Sequence, residues 1–239
     1  MKKNKFKDFI VINCDGIDVV FSTAENGRSF NRHTEDGVTE LHSIKDDFNV
    51  DEVAYLRQIH SDYIYNYTGN NDEFIENEGD ALFTNVKNTA IGVFTADCVP
   101  VIIVDEKTGV IGAAHSGWKG TLNSITLKTL NDMKEKYDIS PENTKVFIGP
   151  HIRQCCYEVS EELKAQFINK KDIDENVLFD GRNLNMESCI IKDAKEFGIK
   201  KENIKSLELC TYCTEKEKLF SYRKSNGTYG RLFAFAYIK

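Results

Sequence analysis

Apolar residues fall in short bursts along most of the chain, a pattern that predicts strands more often than helices. Runs at 9–13, 18–22, 53–59 and 81–84 predict short strands in the first third. The middle is denser, with β-rich runs at 90–95, 100–104 and 110–114 separated by short turns. Val101, Ile102, Ile103 and Val104 are apolar on both faces, as a strand covered on both sides requires. The period then changes. Leu122, Ile125, Leu130 and Met133 recur at helical spacing and predict a helix over 122–137. Another strand is expected at 145–148. Ser160 supplies an N-cap for a helix to about 169, and 186–197 forms a third, ended by Gly198. Strands at 219–223 and 232–238 close the chain. The stretch 66–79, rich in Asn, Asp, Glu and Gly, reads as a solvated loop. Strands come in runs, helices interrupt them irregularly, and no Rossmann glycine fingerprint is present. The expected class is α+β, a sandwich of mixed sheets, over a doubly wound sheet.

Charge narrows the partners. The 239 residues carry 31 basic and 38 acidic side chains, a net −7, which argues against a nucleic-acid binder. With 41% hydrophobic and 29% charged residues the chain is an ordinary globular one, expected as a single domain over 1–239. No stretch approaches the ~20 apolar residues of a membrane span. The apolar run at 9–12 is shorter than the roughly 7–15 residues of a signal-peptide core. A cytoplasmic address is expected, with no membrane partner. In a reducing compartment the seven cysteines are thiols or metal ligands before they are disulfides.

Three contexts then stand out: Gln58-Ile59-His60 at a strand end, Asp97-Cys98 between two strands, and His115-Ser116-Gly117-Trp118 between a strand and a helix. A thiolate with two imidazoles is a good donor set for zinc or copper, and three protein ligands leave a fourth position open. Taken singly, Cys98 is equally a buried core thiol, and His60 and His115 are equally hydrogen-bonded loop histidines. Ser116, Gly117, Gly120 and Thr121 precede a helix and make either an anion site or an ordinary turn. Trp118, the only tryptophan, either packs or flanks a planar ligand. Cys155 and Cys156 are adjacent and are not expected to share one tetrahedral metal comfortably. Cys210-x-x-Cys213 has metal or redox spacing but no second C-x-x-C, and a zinc site built from all four thiols is the minor alternative.

The blocks Leu56-Arg57-Gln58-Ile59-His60, Gly79-Asp80-Ala81-Leu82, Thr95-Ala96-Asp97-Cys98-Val99-Pro100 and His115-Ser116-Gly117-Trp118-Lys119-Gly120 occur in order. They are followed by Ile148-Gly149-Pro150-His151, Tyr157-Glu158-Val159, Cys210-Thr211-Tyr212, Phe220-Ser221-Tyr222-Arg223 and Gly230-Arg231. Together they resemble the laccase-domain proteins, long labelled multicopper polyphenol oxidases and now described as purine nucleoside phosphorylases with adenosine deaminase activity. The resemblance covers about residues 20–238. It implies a layered α/β/β/α sandwich, similar to the catalytic domain of cytotoxic necrotizing factors, with His60, Cys98 and His115 as ligands of zinc, copper being the alternative. Asn183 stands where many relatives have Asp.

The resemblance also implies the chemistry. Phosphorolysis of adenosine, inosine or methylthioadenosine would use phosphate, with Ser116, Gly117, Trp118 and Gly120 near an anion cradle and Arg223 and Arg231 as phosphate contacts. Metal-assisted deamination of adenosine would use Asp97 or Glu158 to move the proton, and Gln58 to orient His60 or the substrate. A multicopper centre is excluded by counting, because five histidines without a His-x-His pair cannot hold about four coppers. The alternatives are a Cys98–His115 hydrolase acting on an amide or ester such as a peptidoglycan precursor, a mononuclear copper polyphenol oxidase, and a non-enzymatic metal-binding module. A monomer or homodimer is expected.

Overall fold

A computed structural model describes residues 2–70, 74–227 and 230–239. Its first elements are β1 (Asn4–Phe6), β2 (Phe9–Cys14), β3 (Ile17–Ser22), α1 (Glu35–Phe48), β4 (Glu52–Ala54), β5 (Ile64–Asn66) and β6 (Ala81–Thr84). The centre holds β7 (Thr89–Thr95), β8 (Val99–Asp105), β9 (Val110–Ser116), α2 (Trp118–Leu122), α3 (Ile125–Tyr137) and β10 (Thr144–Ile148). Then come α4 (Glu161–Lys170), α5 (Glu175–Leu178), β11 (Phe179–Asp180), β12 (Asn183–Leu184), α6 (Met186–Phe197), β13 (Ile204–Ser206), α7 (Tyr222–Ser225) and β14 (Leu232–Ile238). Two six-stranded sheets result, ordered β1-β2-β3-β14-β7-β4 and β13-β10-β8-β9-β6-β5. Each is mixed: β4 runs parallel to β7, β5 to β6 and β13 to β10, within otherwise antiparallel sheets.

Side-chain alternation sorts these strands into layers. On β14, Ala234, Ala236 and Ile238 face the second sheet, whereas Phe233, Phe235 and Tyr237 face α1. On β8, Ile102 and Val104 meet the first sheet, whereas Val99, Val101 and Ile103 pack under α3 and α6. Each fully buried Val, Ile or Phe contributes roughly 1.5–3 kcal/mol, so both central strands are committed to four layers. The expected α/β/β/α sandwich is the observed one.

The sequence pattern hid several elements. Helix α1 was not expected, although Thr34 caps it by accepting from the Gly37 N–H at 3.1 Å. Arg28 ties it to the first sheet, lying over Phe9 and Phe30 and pairing with Asp8, Glu40 and Asp47. The strand expected at 53–59 stops at Ala54. Beyond it the Gln58 side-chain amide, not the backbone, pairs with the main chain of Phe94, donating at 2.9 Å and accepting at 2.7 Å. The helix expected over 122–137 is broken by Ser124, whose φ is +57°. The strand expected at 219–223 is absent: Ser221 caps the short helix α7 instead, accepting from Lys224 N–H at 3.1 Å. The expected loop 66–79 contains a 3-10 turn at Phe74–Glu76, and residues 71–73 lie outside the described residues. No helix among the described residues is long and apolar enough to cross a membrane.

Candidate functional site

The connection from β7 to β8 crosses from one sheet to the other, and Cys98 lies in it. Asp97, just before it, has φ +92°, a backbone state that L-residues rarely adopt. It is held there by its own polar contacts. Asp97 Oδ1 accepts from the Thr211 hydroxyl at 2.6 Å, Oδ2 accepts from the Arg223 N–H at 2.7 Å, and its carbonyl accepts from Ile152 N–H at 2.9 Å. His115 comes from the end of β9. His60 comes from the segment after β4, with φ +59°. One ligand atom from each of His60, Cys98 and His115 lies within 4.8 Å of the others.

Asp80, just before β6, organises this trio and was not singled out from the sequence. It is completely buried. Its carboxylate accepts from the N–H groups of Ile59, His60 and Ser61 at 3.3, 3.0 and 2.6 Å, and from the Ser61 hydroxyl at 2.7 Å. It also meets His115 Nδ1 at 2.7 Å. That contact leaves His115 Nε2 as the free ring nitrogen. A buried carboxylate must be paired, and the block Gly79-Asp80-Ala81-Leu82, a lone charge entering an apolar strand, was the available signal.

The electrostatics follow from these contacts. Burial pushes Asp80 up, but the bonds from His115 and Ser61 outweigh it and hold the carboxyl below its ordinary range. Burial also pushes the Cys98 thiol up, yet His115 and His60 bring it down to about 6. His115 is lowered by burial and raised more strongly by Cys98 and Asp80, to about 9. Two imidazoles and a thiolate poised as an anion fit zinc or copper in donor type. The position of Gly117 fits too. A Cβ there would lie 3.1 Å from His60 Cδ2 and 3.2 Å from Cys98 Sγ.

The trio forms one wall of a cleft of about 410 Å³. Gln58 and Arg231 also line it, as do Arg32, His33, Thr95 and Tyr222, none of which the sequence reading selected. Thr95 Oγ1 is buried with no hydrogen-bond partner in the described structure. The other expected site residues are arranged differently. Ser116 bonds Thr121 through their hydroxyls at 2.8 Å, and neither it nor Gly117, Trp118 or Gly120 lines the cleft. Trp118 packs on the helical layer. Arg223 lies over Tyr157 and donates to the Glu158 carbonyl at 3.2 Å. The Glu158 carboxylate pairs with Arg182. A second convergence lies nearby. Cys155, Cys156, Cys210 and Cys213 each offer a sulfur within 4.8 Å of the other three, so the adjacent pair does meet at one point.

The fold and this trio define a class: a four-layered sandwich with a His–Cys–His centre where a strand crosses between the sheets. Residues 20–239 match the family model described as multi-copper polyphenol oxidoreductase laccase. A purine nucleoside phosphorylase of Clostridium acetobutylicum is 42% identical over 235 residues, covering 98% of each chain. A purine nucleoside phosphorylase of Borreliella burgdorferi is 36% identical over 184 residues, covering 72% of this chain and 74% of its own. The crystal structure of the Bacillus licheniformis hypothetical protein YfiH shares the fold, with a TM-score of 0.89 at 23% identity over 98% of both chains. This chain belongs to that laccase-like polyphenol oxidoreductase family.

Proposed function

We propose that the protein is an enzyme that phosphorolyses purine nucleosides in the 410 Å³ cleft. The observation that carries this reading is the pairing of the donor trio with Arg32 and Arg231 in one cleft. The names of the 42% and 36% identical relatives support it. A net charge of −7 does not oppose an anionic substrate when the positive potential is local. The two arginines offer charge-assisted bonds to phosphate oxygens. The Thr95 hydroxyl offers a partner to a ribose hydroxyl or phosphate oxygen. Phosphate oxygen attacks ribose C1′, the bond to the base breaks with its electron pair going to the base, and the proton of hydrogen phosphate ends on the base.

His60, Cys98 and His115 would hold zinc, or copper in its place. When bound, such an ion supplies Lewis acidity at one open position, which suits deamination at adenosine C6. Asp80 keeps His115 in the ligating tautomer. With Asp97 bonded to Thr211 and Arg223, and Glu158 to Arg182, both carboxylates are better suited to positioning than to carrying a proton. All seven cysteines are free thiols, which suits a reducing compartment such as the cytoplasm.

The test is incubation with adenosine, with and without phosphate, following adenine, inosine and ribose 1-phosphate, for wild type and Cys98→Ala. Adenine formed only with phosphate supports phosphorolysis. A zinc-loaded sample that forms no inosine refutes the deaminase part. A second reading has its own observation. Cys98 at about 6, His115 at about 9 and Asp80 on Nδ1 form a Cys–His–Asp series suited to nucleophilic hydrolysis of an amide or ester. It requires activity that survives chelation, because metal and substrate compete for one thiolate.

A further inference from the structure

We propose that Cys155, Cys156, Cys210 and Cys213 form a second, closed metal site that takes one Zn²⁺ ion in tetrathiolate coordination. Nothing in the phosphorolysis reading uses these residues, and the proposal stands apart from it. The sulfur geometry is the first argument. All four sulfurs lie within 4.8 Å of one another, and Cys155 Sγ and Cys213 Sγ are 3.7 Å apart. A tetrahedron of Zn–S bonds of about 2.3 Å has sulfur–sulfur edges of about 3.8 Å. A disulfide would need about 2.05 Å. An iron–sulfur cluster puts several irons and bridging sulfides between its cysteines, for which this cage is too small.

The backbone explains how two adjacent cysteines reach one point. The Arg153 carbonyl accepts from the N–H groups of Cys156 and Tyr157 at 2.9 and 3.0 Å, rolling 153–157 into a single turn. The Cys210 carbonyl accepts from Thr214 N–H at 3.0 Å, closing a second turn. His151 joins the two turns: its N–H donates to the Leu209 carbonyl at 3.2 Å, and its carbonyl accepts from Thr211 N–H at 2.9 Å. Cys210 is buried whereas Cys155 and Cys213 are exposed, so an ion can enter from the rim.

The site also has work to do in the fold. Thr211, next to Cys210, holds Asp97 Oδ1, and Ile152 holds the Asp97 carbonyl. Asp97 in turn directs the strained turn that presents Cys98. The tetrathiolate therefore staples the two turns that support Cys98 without touching the cleft.

The experiment uses the full chain purified without oxygen, loaded with excess Zn²⁺, desalted and assayed for bound metal. The Cys98→Ala variant isolates the second site and should retain one zinc per chain. Adding Cys155→Ser and Cys213→Ser, both at exposed positions, should remove it. Cobalt bound to the Cys98→Ala variant should give the intense sulfur-to-metal absorption of a tetrahedral tetrathiolate. Loss of all zinc in Cys98→Ala would overturn the proposal, as would zinc retained unchanged after the two serine substitutions. Should the triple variant not fold, a cobalt spectrum of Cys98→Ala without thiolate bands decides against the site. A Cys155–Cys213 disulfide found by mass spectrometry under reducing conditions also overturns it. None of these readouts depends on nucleoside turnover.

Discussion

Asp80→Asn preserves shape and removes one charge, and the surroundings of Asp80 make that change severe. If the new carbonyl takes the place of Oδ1, it still accepts from His60 N–H and His115 Nδ1–H. The new NH₂ then faces the N–H groups of Ile59 and Ser61, and those part-buried donors are orphaned. If the amide is reversed, the NH₂ faces His115 Nδ1 and drives the proton to Nε2, the nitrogen that must ligate. Neither orientation satisfies both partners. An unsatisfied buried donor costs about 1–3 kcal/mol, and bonds to charged groups are the stronger ones, so about 2–4 kcal/mol of stability should be lost. Losing the partner of a metal-ligating histidine typically costs 10–100-fold in metal affinity.

Two measurements check this. Denaturant unfolding of the metal-free proteins gives the stability difference. Competition with a chromophoric chelator gives zinc affinity. The pH dependence has a definite sign. The folded Asp80 carboxyl sits below its ordinary value of 3.8, so its contribution is full above that value and is lost as pH falls through the lower folded one. The gap between wild type and Asp80→Asn should therefore narrow in acid. A variant with an unchanged unfolding midpoint and zinc affinity within about twofold of wild type would refute the assignment of Asp80 as organiser.

Further outcomes are expected. In metal-free protein, iodoacetamide should alkylate Cys98 with a pH midpoint near 6, the rate falling as pH drops through it, and Zn²⁺ should protect the thiol. His115→Ala should move that midpoint up, because burial then acts with less opposition. Gly117→Ala has a compatible φ of −71°, so folding should persist while the new Cβ crowds His60 and Cys98; zinc affinity measured by chelator competition should fall by about tenfold or more. Gly37→Ala would set a Cβ 2.0 Å from the Asn31 carbonyl oxygen, so thermal unfolding should register a loss of at least about 1–3 kcal/mol, with the loop carrying Arg32 and His33 displaced. Arg32→Ala and Arg231→Ala should each raise KM for phosphate by about tenfold or more, read from initial rates at saturating nucleoside.

What the sequence disclosed follows the range of the forces involved. Apolar runs are a local signal, so strands could be placed at 100–104 and 232–238, where Val99–Asp105 and Leu232–Ile238 lie, and a sandwich of mixed sheets anticipated; the α/β/β/α layering came from the family resemblance. Helix α1 escaped because Gly37 and a run of acidic residues obscure Val38, Leu41, Ile44 and Phe48, whose register becomes decisive only once Arg28 anchors the helix to the sheet. The trio His60, Cys98 and His115 was ambiguous from spacing and became specific through the family resemblance, since its members sit on three separate segments. Arg32 and His33 carry no local signature at all; the packing of α1 brings their loop to the cleft. Cys155 and Cys156 show a different limit. Adjacency argued against their sharing one tetrahedral metal comfortably, and only the folded backbone shows that a turn closed on the Arg153 carbonyl brings both sulfurs within 4.8 Å of those of Cys210 and Cys213. The same logic runs through both clusters. Side chains separated by many residues become one chemical unit because buried polar groups, Asp80 in one case and Asp97 in the other, leave the intervening backbone few other arrangements.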